Sequence, residues 1–323
     1  MKETKKNPFI EKLKNTRELN VLFIVVIAGL VIALIKPTFM TLFNVQVILR
    51  QLAVFGILAV AETFVIIVLG IDLSVGSVVA FGGILTAIII NATGSALLAV
   101  FGVLCVALLI GFYHGLMVTR IKMAPFIITL GSLSLFRGLS FVISKGYPLL
   151  IADERIRWLG QGLIGPFPAP FVIFLGVAAI TGFILHFTAL GRSIYAIGGN
   201  PEAARMSGIP VNRVLIFVYI QATLLASIVG LIIAGRLASG LASVAVGYEL
   251  IAIAAAIIGG ASFLGGIGTI VGTAFGALLM SMIDNALITL RVDPYWYNFV
   301  TGVIIILAVS IDTAIRKRGK SSA

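Results

Sequence analysis

The chain has 323 residues, of which 60% are hydrophobic and 11% charged, and its formal net charge is +11. A soluble domain carries about 25% charged residues, so lipid must solvate most of this chain. The 23 Lys and Arg residues cluster at the two ends and in a few loops, with no basic stripe interleaved with aromatics. Membrane topology therefore accounts for the charge, and nucleic-acid binding does not.

Taken in order, residues 1–19 are a basic segment, expected on the cytoplasmic side. The first apolar run follows it without a small-residue cleavage site, since Lys36-Pro37-Thr38-Phe39-Met40 comes next; it reads as a retained anchor. Ten apolar segments are long enough to span: Asn20–Ile35, Val45–Leu69, Val75–Ile90, Ala96–Val118, Pro125–Ile143, Pro170–Thr188, Val214–Ala234, Ala245–Gly259, Gly266–Ile288 and Tyr297–Ala314. The eighth is short and Ala-rich. The expected architecture is an all-α polytopic membrane protein, with one transmembrane domain over 20–314 and a basic cytoplasmic tail at 315–323.

An even number of spans puts both termini on one side. Fifteen Lys and Arg residues then fall on the terminal side and six on the other, with Arg50 and Arg137 inside spans; the excess places both termini in the cytoplasm. Cys105 is a lone cysteine in an apolar run and reads as a small core or lipid-facing residue.

The longest external loop, 145–169, contains Ala152–Leu159, a short amphipathic helix. It is either a surface helix anchored by Trp158 or a docking surface for an external partner. Two Gly-rich stretches, Gly70–Ser77 and Gly259–Thr269, interrupt the hydrophobic pattern. They are either tight cytoplasmic turns or pathway-lining breaks, because irregular backbone at membrane depth needs protein or a wet cavity around it.

Arg50, Glu62, Arg137, Glu249 and Asp284 lie within or at the edges of spans, where charge is costly. They read as a polar lining or as structural ion pairs and snorkelling groups. The candidate pathway set is Glu62, Asp72, Ser74, Gly76, Arg137, Ser262, Gly265, Gly266, Asp284 and Asn285. Asp72 can equally cap the helix starting near Ser74. His114 and His186 lack partners by spacing and read as satisfied interfacial histidines. Tyr295-Trp296-Tyr297 reads as part of an aromatic belt.

The long polar loop 190–213 holds a helix cassette. Asn200 suits the N-cap, Pro201 the first helical position, and Glu202 the positive end of the dipole. Ala203 and Ala204 propagate the helix, Arg205 follows, Gly208 can turn left-handed, and Pro210 stops continuation. Two turns are marginal alone, so a partner should pack on them.

Glu202-Ala203-Ala204, three residues, then Gly208 resembles the Glu-Ala-Ala-x-x-x-Gly pattern of ABC-transporter permeases. Gly70–Ser77, Gly191–Asn200, Gly247-Tyr248-Glu249-Leu250 and Gly259–Gly268 are similar to the ribose/xylose/galactoside branch of that family. The resemblance implies that Gly191, Asn200, Pro201, Glu202, Ala203, Ala204, Arg205 and Gly208 form a coupling loop for a cytosolic ATP-binding subunit. It implies further an external sugar-binding protein, and a second permease copy or a paralogue. No concentrated set of polar groups around an aromatic platform announces a sugar.

Absences agree with that division of labour. Gly319-Lys320-Ser321 resembles the tail of a P-loop, but Ala314 stands where its first glycine belongs. No paired carboxylates, zinc spacing or nucleophile elbow appears. The expectation is a non-enzymatic permease subunit that binds no cofactor, ATP and Mg being used by its partner. The alternative is an ion-coupled secondary transporter relaying charge through Glu62 and Asp284; a mere scaffold would not carry Gly-rich breaks.

Overall fold

The computed structural model describes residues 17–293, together with 296, 299–303, 306, 307 and 310. The helices in order are α1 (Arg17–Ile35), α2 (Leu42–Ile67), α3 (Val75–Thr93), α4 (Ala96–Thr119), α5 (Pro125–Ser144), α6 (Glu154–Gln161), α7 (Ala169–Phe187), α8 (Ala189–Gly199), α9 (Pro201–Met206), α10 (Val211–Leu237), α11 (Tyr248–Ile258) and α12 (Ile270–Thr289). Among the described residues, eight of these are long and apolar enough to cross a membrane. The protein is an all-α polytopic membrane protein. Most of the expected tenth span lies outside the described residues, as do Tyr295, Tyr297 and both basic ends apart from 17–19.

The eighth expected span is corrected. It is the 11-residue helix α11, which at 1.5 Å per residue reaches about 16 Å, half of a hydrocarbon core of about 30 Å. Gly247 starts it at φ +81° and Gly260 turns the chain away at φ +99°.

Helix α2 is the axis of the fold. Every residue from Gln51 to Ile67 is buried, because α7, α10, α11 and α12 surround it; a helix apolar all round is one buried all round. Helix α10 packs on α3, α4 and α6. Gly111 and Gly115 of α4 sit four apart against Ile220 and Ile216 of α10, where a Cβ would strike the facing backbone, the small-residue approach that packs membrane helices. Helices α11 and α12 meet likewise, through Gly259 on Gly272 and Ala255 on Gly276. Phe23, Leu34, Phe101, Leu109, Phe126 and Phe183, on α1, α4, α5 and α7, point outward, as a lipid-facing surface does.

Four two-residue strands join the loops at one end. β1 (Leu149–Leu150) pairs antiparallel with β4 (Ser239–Gly240), and β2 (Leu163–Ile164) with β3 (Phe167–Pro168). Helix α6 is capped by Asp153, whose Oδ1 accepts from the Arg155 and Ile156 N–H groups. It is held by buried Ile156 and Gly160 against the end of α10, and Trp158 is exposed. The Gln161 amide adds donations to the Gly235 and Arg236 carbonyls.

Candidate functional site

The loop between α7 and α10 is built from two short helices at right places in the sequence. Thr188 Oγ1 accepts from the Gly191 N–H and opens α8. Gly191 leaves no room for a Cβ against the Leu185 and Ile184 carbonyls, so the chain can turn sharply out of α7. Asn200 Oδ1 accepts from the N–H groups of Glu202 and Ala203, both at 3.0 Å, and opens α9 at Pro201. Gly208 takes φ +83°. Glu202, Ala203, Arg205 and Met206 are exposed, while Ala204 is buried and anchors the helix.

Helix α8 rests on the Gly-rich stretch 259–269. Gly198 lies directly on the Ile67 carbonyl and the Gly266 N–H, with no space for any side chain. The Gly266 N–H donates to the Ile67 carbonyl at 2.9 Å. Gly265, at φ +74°, faces the Gly198 carbonyl at 2.6 Å from an ideal Cβ position. The Tyr195 hydroxyl donates to the Gly268 carbonyl at 2.6 Å, and burial pushes the phenol up to about 12. It therefore stays a donor across physiological pH. Within the stretch, Ser262 N–H donates to Ile267 O and Ser262 Oγ accepts from the Leu264 N–H. The stretch is thus an internally satisfied knuckle wedged between the end of α2 and α8.

A second group of polar residues is sealed in the core. Asp72 Oδ1 accepts from both the N–H and the hydroxyl of Ser74, at 2.8 and 2.6 Å; this closes a turn just ahead of α3 and is not the expected cap, since the N-cap residue is Ser74 and no side chain caps the helix. Gly76 in the next turn lies against the Glu249 carboxylate and the Ala245 carbonyl, an approach that a Cβ would block. Two acidic side chains so gather at the positive end of α3, where its dipole favours them. Glu62 is fully buried beside the Asp72 backbone without closing a well-formed hydrogen bond. Arg137 donates to the carbonyls of Ala242 and Val244, each at 2.6 Å, and of Ala245 at 3.4 Å, pinning the chain that enters α11. His114 is not interfacial: it is wholly buried, its Nε2 2.8 Å from Ser132 Oγ. The His186 ring lies 6.3 Å from that of Tyr195, tilted by 36°. Among the described residues, no group of three His, Cys, Asp or Glu side chains is placed to hold a metal ion.

The third place is a cavity of about 490 Å³, inside the range of small-molecule sites. Gln51, Arg236, Tyr248, Asp284 and Asn285 supply its polar groups, and Phe55 packs edge-on to Tyr248 at 5.2 Å. Arg236 donates to Gln51 Oε1 at 3.0 Å. Beside the cavity, the amides of Asn44 and Asn285 bond each other reciprocally at 2.9 Å.

The ten candidate pathway residues therefore do not form one lining. Asp284 and Asn285 share the cavity; Glu62, Asp72, Ser74 and Gly76 belong to the sealed core, with half-buried Arg137 at its edge; Ser262, Gly265 and Gly266 form the knuckle under α8. The cavity also assembles amides, charges and a ring, which sequence reading found nowhere together. Gln51, Arg236 and Tyr248 were missed because they come from three distant elements. The one available signal was Arg50-Gln51, two strongly polar residues inside an apolar run.

The chain is 41% identical over 286 residues to the ribose import permease protein of Escherichia coli (strain K12), covering 87% of this chain and 89% of that one. It is 39% identical over 293 residues to that of Bacillus subtilis (strain 168), covering 90% of each. It is 35% identical over 280 residues to the L-arabinose transport system permease protein of Escherichia coli (strain K12), covering 87% and 85%. No solved structure matches. A family profile described as branched-chain amino acid transport system / permease component matches residues 44–309, and with that coverage this chain belongs to that family of membrane permeases.

Proposed function

We propose that this chain is the membrane-spanning subunit of an ATP-driven importer for a monosaccharide, with ribose or a related pentose as cargo. It would sit in the cytoplasmic membrane with both termini in the cytosol. It would work with a cytosolic ATP-binding subunit that uses ATP and Mg, an external sugar-binding protein, and a second copy of itself or a paralogue. The chain binds no cofactor in this reading.

The observation that carries the proposal is the seat of α8 on the knuckle. The exposed cassette Asn200–Gly208 continues directly from α8, and α8 is bolted to the end of α2 through Gly198 and to the knuckle through Tyr195. A push on α9 has a stiff route to the axial helix and to the segment joining α11 with α12. Relatives named for ribose and L-arabinose, both pentoses, support the cargo. The cavity bounded by Gln51, Arg236, Asp284 and Asn285 offers donors and acceptors for hydroxyl groups.

The test is reconstitution of the purified chain with its co-purifying subunits in proteoliposomes. Uptake of labelled ribose that needs ATP and is lost with Glu202→Lys, together with loss of the ATPase subunit, supports the reading; leucine is the control cargo. Uptake by the chain alone, driven by an ion gradient, would establish the ion-coupled alternative.

A further inference from the structure

We propose that this protein carries a site for the phosphate headgroup of an anionic phospholipid, between the end of α4 and the start of α10. A cavity of about 540 Å³ opens there. Arg120, Lys122, Arg205 and Arg213 line it, all exposed, and no Asp or Glu is among its lining residues. Arg205 pairs with Glu202 at 3.7 Å on the exposed cassette. Among the described residues, Arg120, Lys122 and Arg213 have no carboxylate within ion-pair distance, and like charges around one cavity repel each other unless an anion sits between them.

The backbone holds the cations in place. The Arg120 N–H still bonds the Leu116 carbonyl, so that residue closes α4. Lys122 then takes φ +59°, and the Met123 N–H returns to the Met117 carbonyl at 3.1 Å. This tight turn fixes Arg120 and Lys122 at the helix end. Opposite, α10 begins after Pro210 with no side chain capping it. Residues 209–213 line the cavity, so the positive end of a 27-residue helix adds to the four side chains.

The rest of the lining tells a lipid from a soluble anion. Ile209 and Ile216 give the cavity an apolar wall. Just beyond the turn, Ile121, Phe126 and Ile127 project outward, 61%, 49% and 58% exposed. A ligand here meets cations at one end and hydrocarbon at the other, which suits a headgroup whose acyl chains run along α4 and α5. Basic pockets between membrane helices hold anionic headgroups by this combination. The site is separate from the cargo cavity and does not depend on what is carried.

The test uses the full chain, gently purified in detergent. Dioleoylphosphatidylglycerol and dioleoylphosphatidylcholine are titrated while native mass spectrometry counts bound lipid. The expected result is preferential retention of phosphatidylglycerol, weakened about 100-fold in the R120A/K122A/R213A variant, at roughly five-fold per cation. R120K/R213K should keep most of it. K122A alone, an exposed change that folding tolerates, should lose about five-fold and carries the test if the triple variant cannot be purified. Equal retention of the two lipids, or unchanged retention in the variants, overturns the proposal. So does full displacement by millimolar inorganic phosphate, which would make this a free-phosphate site. A triple variant that keeps its lipid but loses the ATPase subunit would assign the cavity to a protein partner instead.

Discussion

The Tyr195 hydroxyl donates to the Gly268 carbonyl across 73 residues of sequence, at 2.6 Å. This bond joins a helix of the polar loop to the segment between α11 and α12. Tyr195→Phe removes the donor and leaves a shielded carbonyl unpaired, at a cost of about 1–2 kcal/mol. If the bond transmits force, ATP-driven uptake falls by roughly five- to thirty-fold while the ATPase subunit still co-purifies. Uptake unchanged alongside a lowered melting temperature would reduce Tyr195 to a structural role.

Gly198 and Gly199 are neighbours with opposite surroundings. A Cβ at Gly198 would overlap backbone of Ile67 and Gly266, whereas at Gly199 nothing lies within 4 Å. Gly198→Ala is expected to destabilise the protein by about 3 kcal/mol or more, since backbone cannot yield cheaply. Gly199→Ala should be nearly neutral. Thermal melts of the two variants in one detergent check the contrast, and equal melts would refute the packing described.

Arg137 clamps the carbonyls of Ala242, Val244 and Ala245. Arg137→Gln should cost about 2–3 kcal/mol, as charge-assisted bonds do, and loosen residues 238–247. Hydrogen exchange over that segment should accelerate. Arg137→Lys, a compact charge without the guanidinium fork, should recover only part of the protection.

The outer end of α3 is tied by Arg155, which donates to the Gly94 carbonyl at 2.8 Å and pairs with Asp153 at 2.6 Å. The hydrogen bond from Arg155 holds the Asp153 carboxyl below its usual range. A carboxyl depressed on folding stabilises the fold above its unfolded value, near pH 4, and that contribution is lost as pH falls through the folded value. Arg155 is solvent-exposed, so the pair contributes little. Melting temperature should therefore drop between pH 5 and pH 3 more steeply in the wild type than in Asp153→Asn; parallel curves would count against it.

Local chemistry was legible where it is written in adjacent residues. Asn200, Pro201 and Gly208 announce a capped helix with a left-handed exit, and the helix lies at those residues. The short Ala-rich eighth segment announced its weakness, and it is the half-length α11. What pairs distant elements was not legible. Asn44 meets Asn285, Arg236 meets Gln51, and Tyr195 meets Gly268 only after helices pack. By position in the sequence Glu62 lies deep in its span and Asp284 near a span end, yet the deep one is sealed beside Asp72 and the other lines a cavity. Depth in a span does not say which side of a helix faces water. Residue type and periodicity carry no information on that when a helix is buried all round.

The seam between α11 and α12 has a genetic consequence. Gly259, Gly272 and Gly276 each lie against facing backbone, where a Cβ would collide. Every missense change of a glycine codon adds at least that one carbon. These three positions consequently have no conservative neighbour: a random mutation there is either synonymous or disruptive, and laboratory evolution of this chain must find its improvements elsewhere.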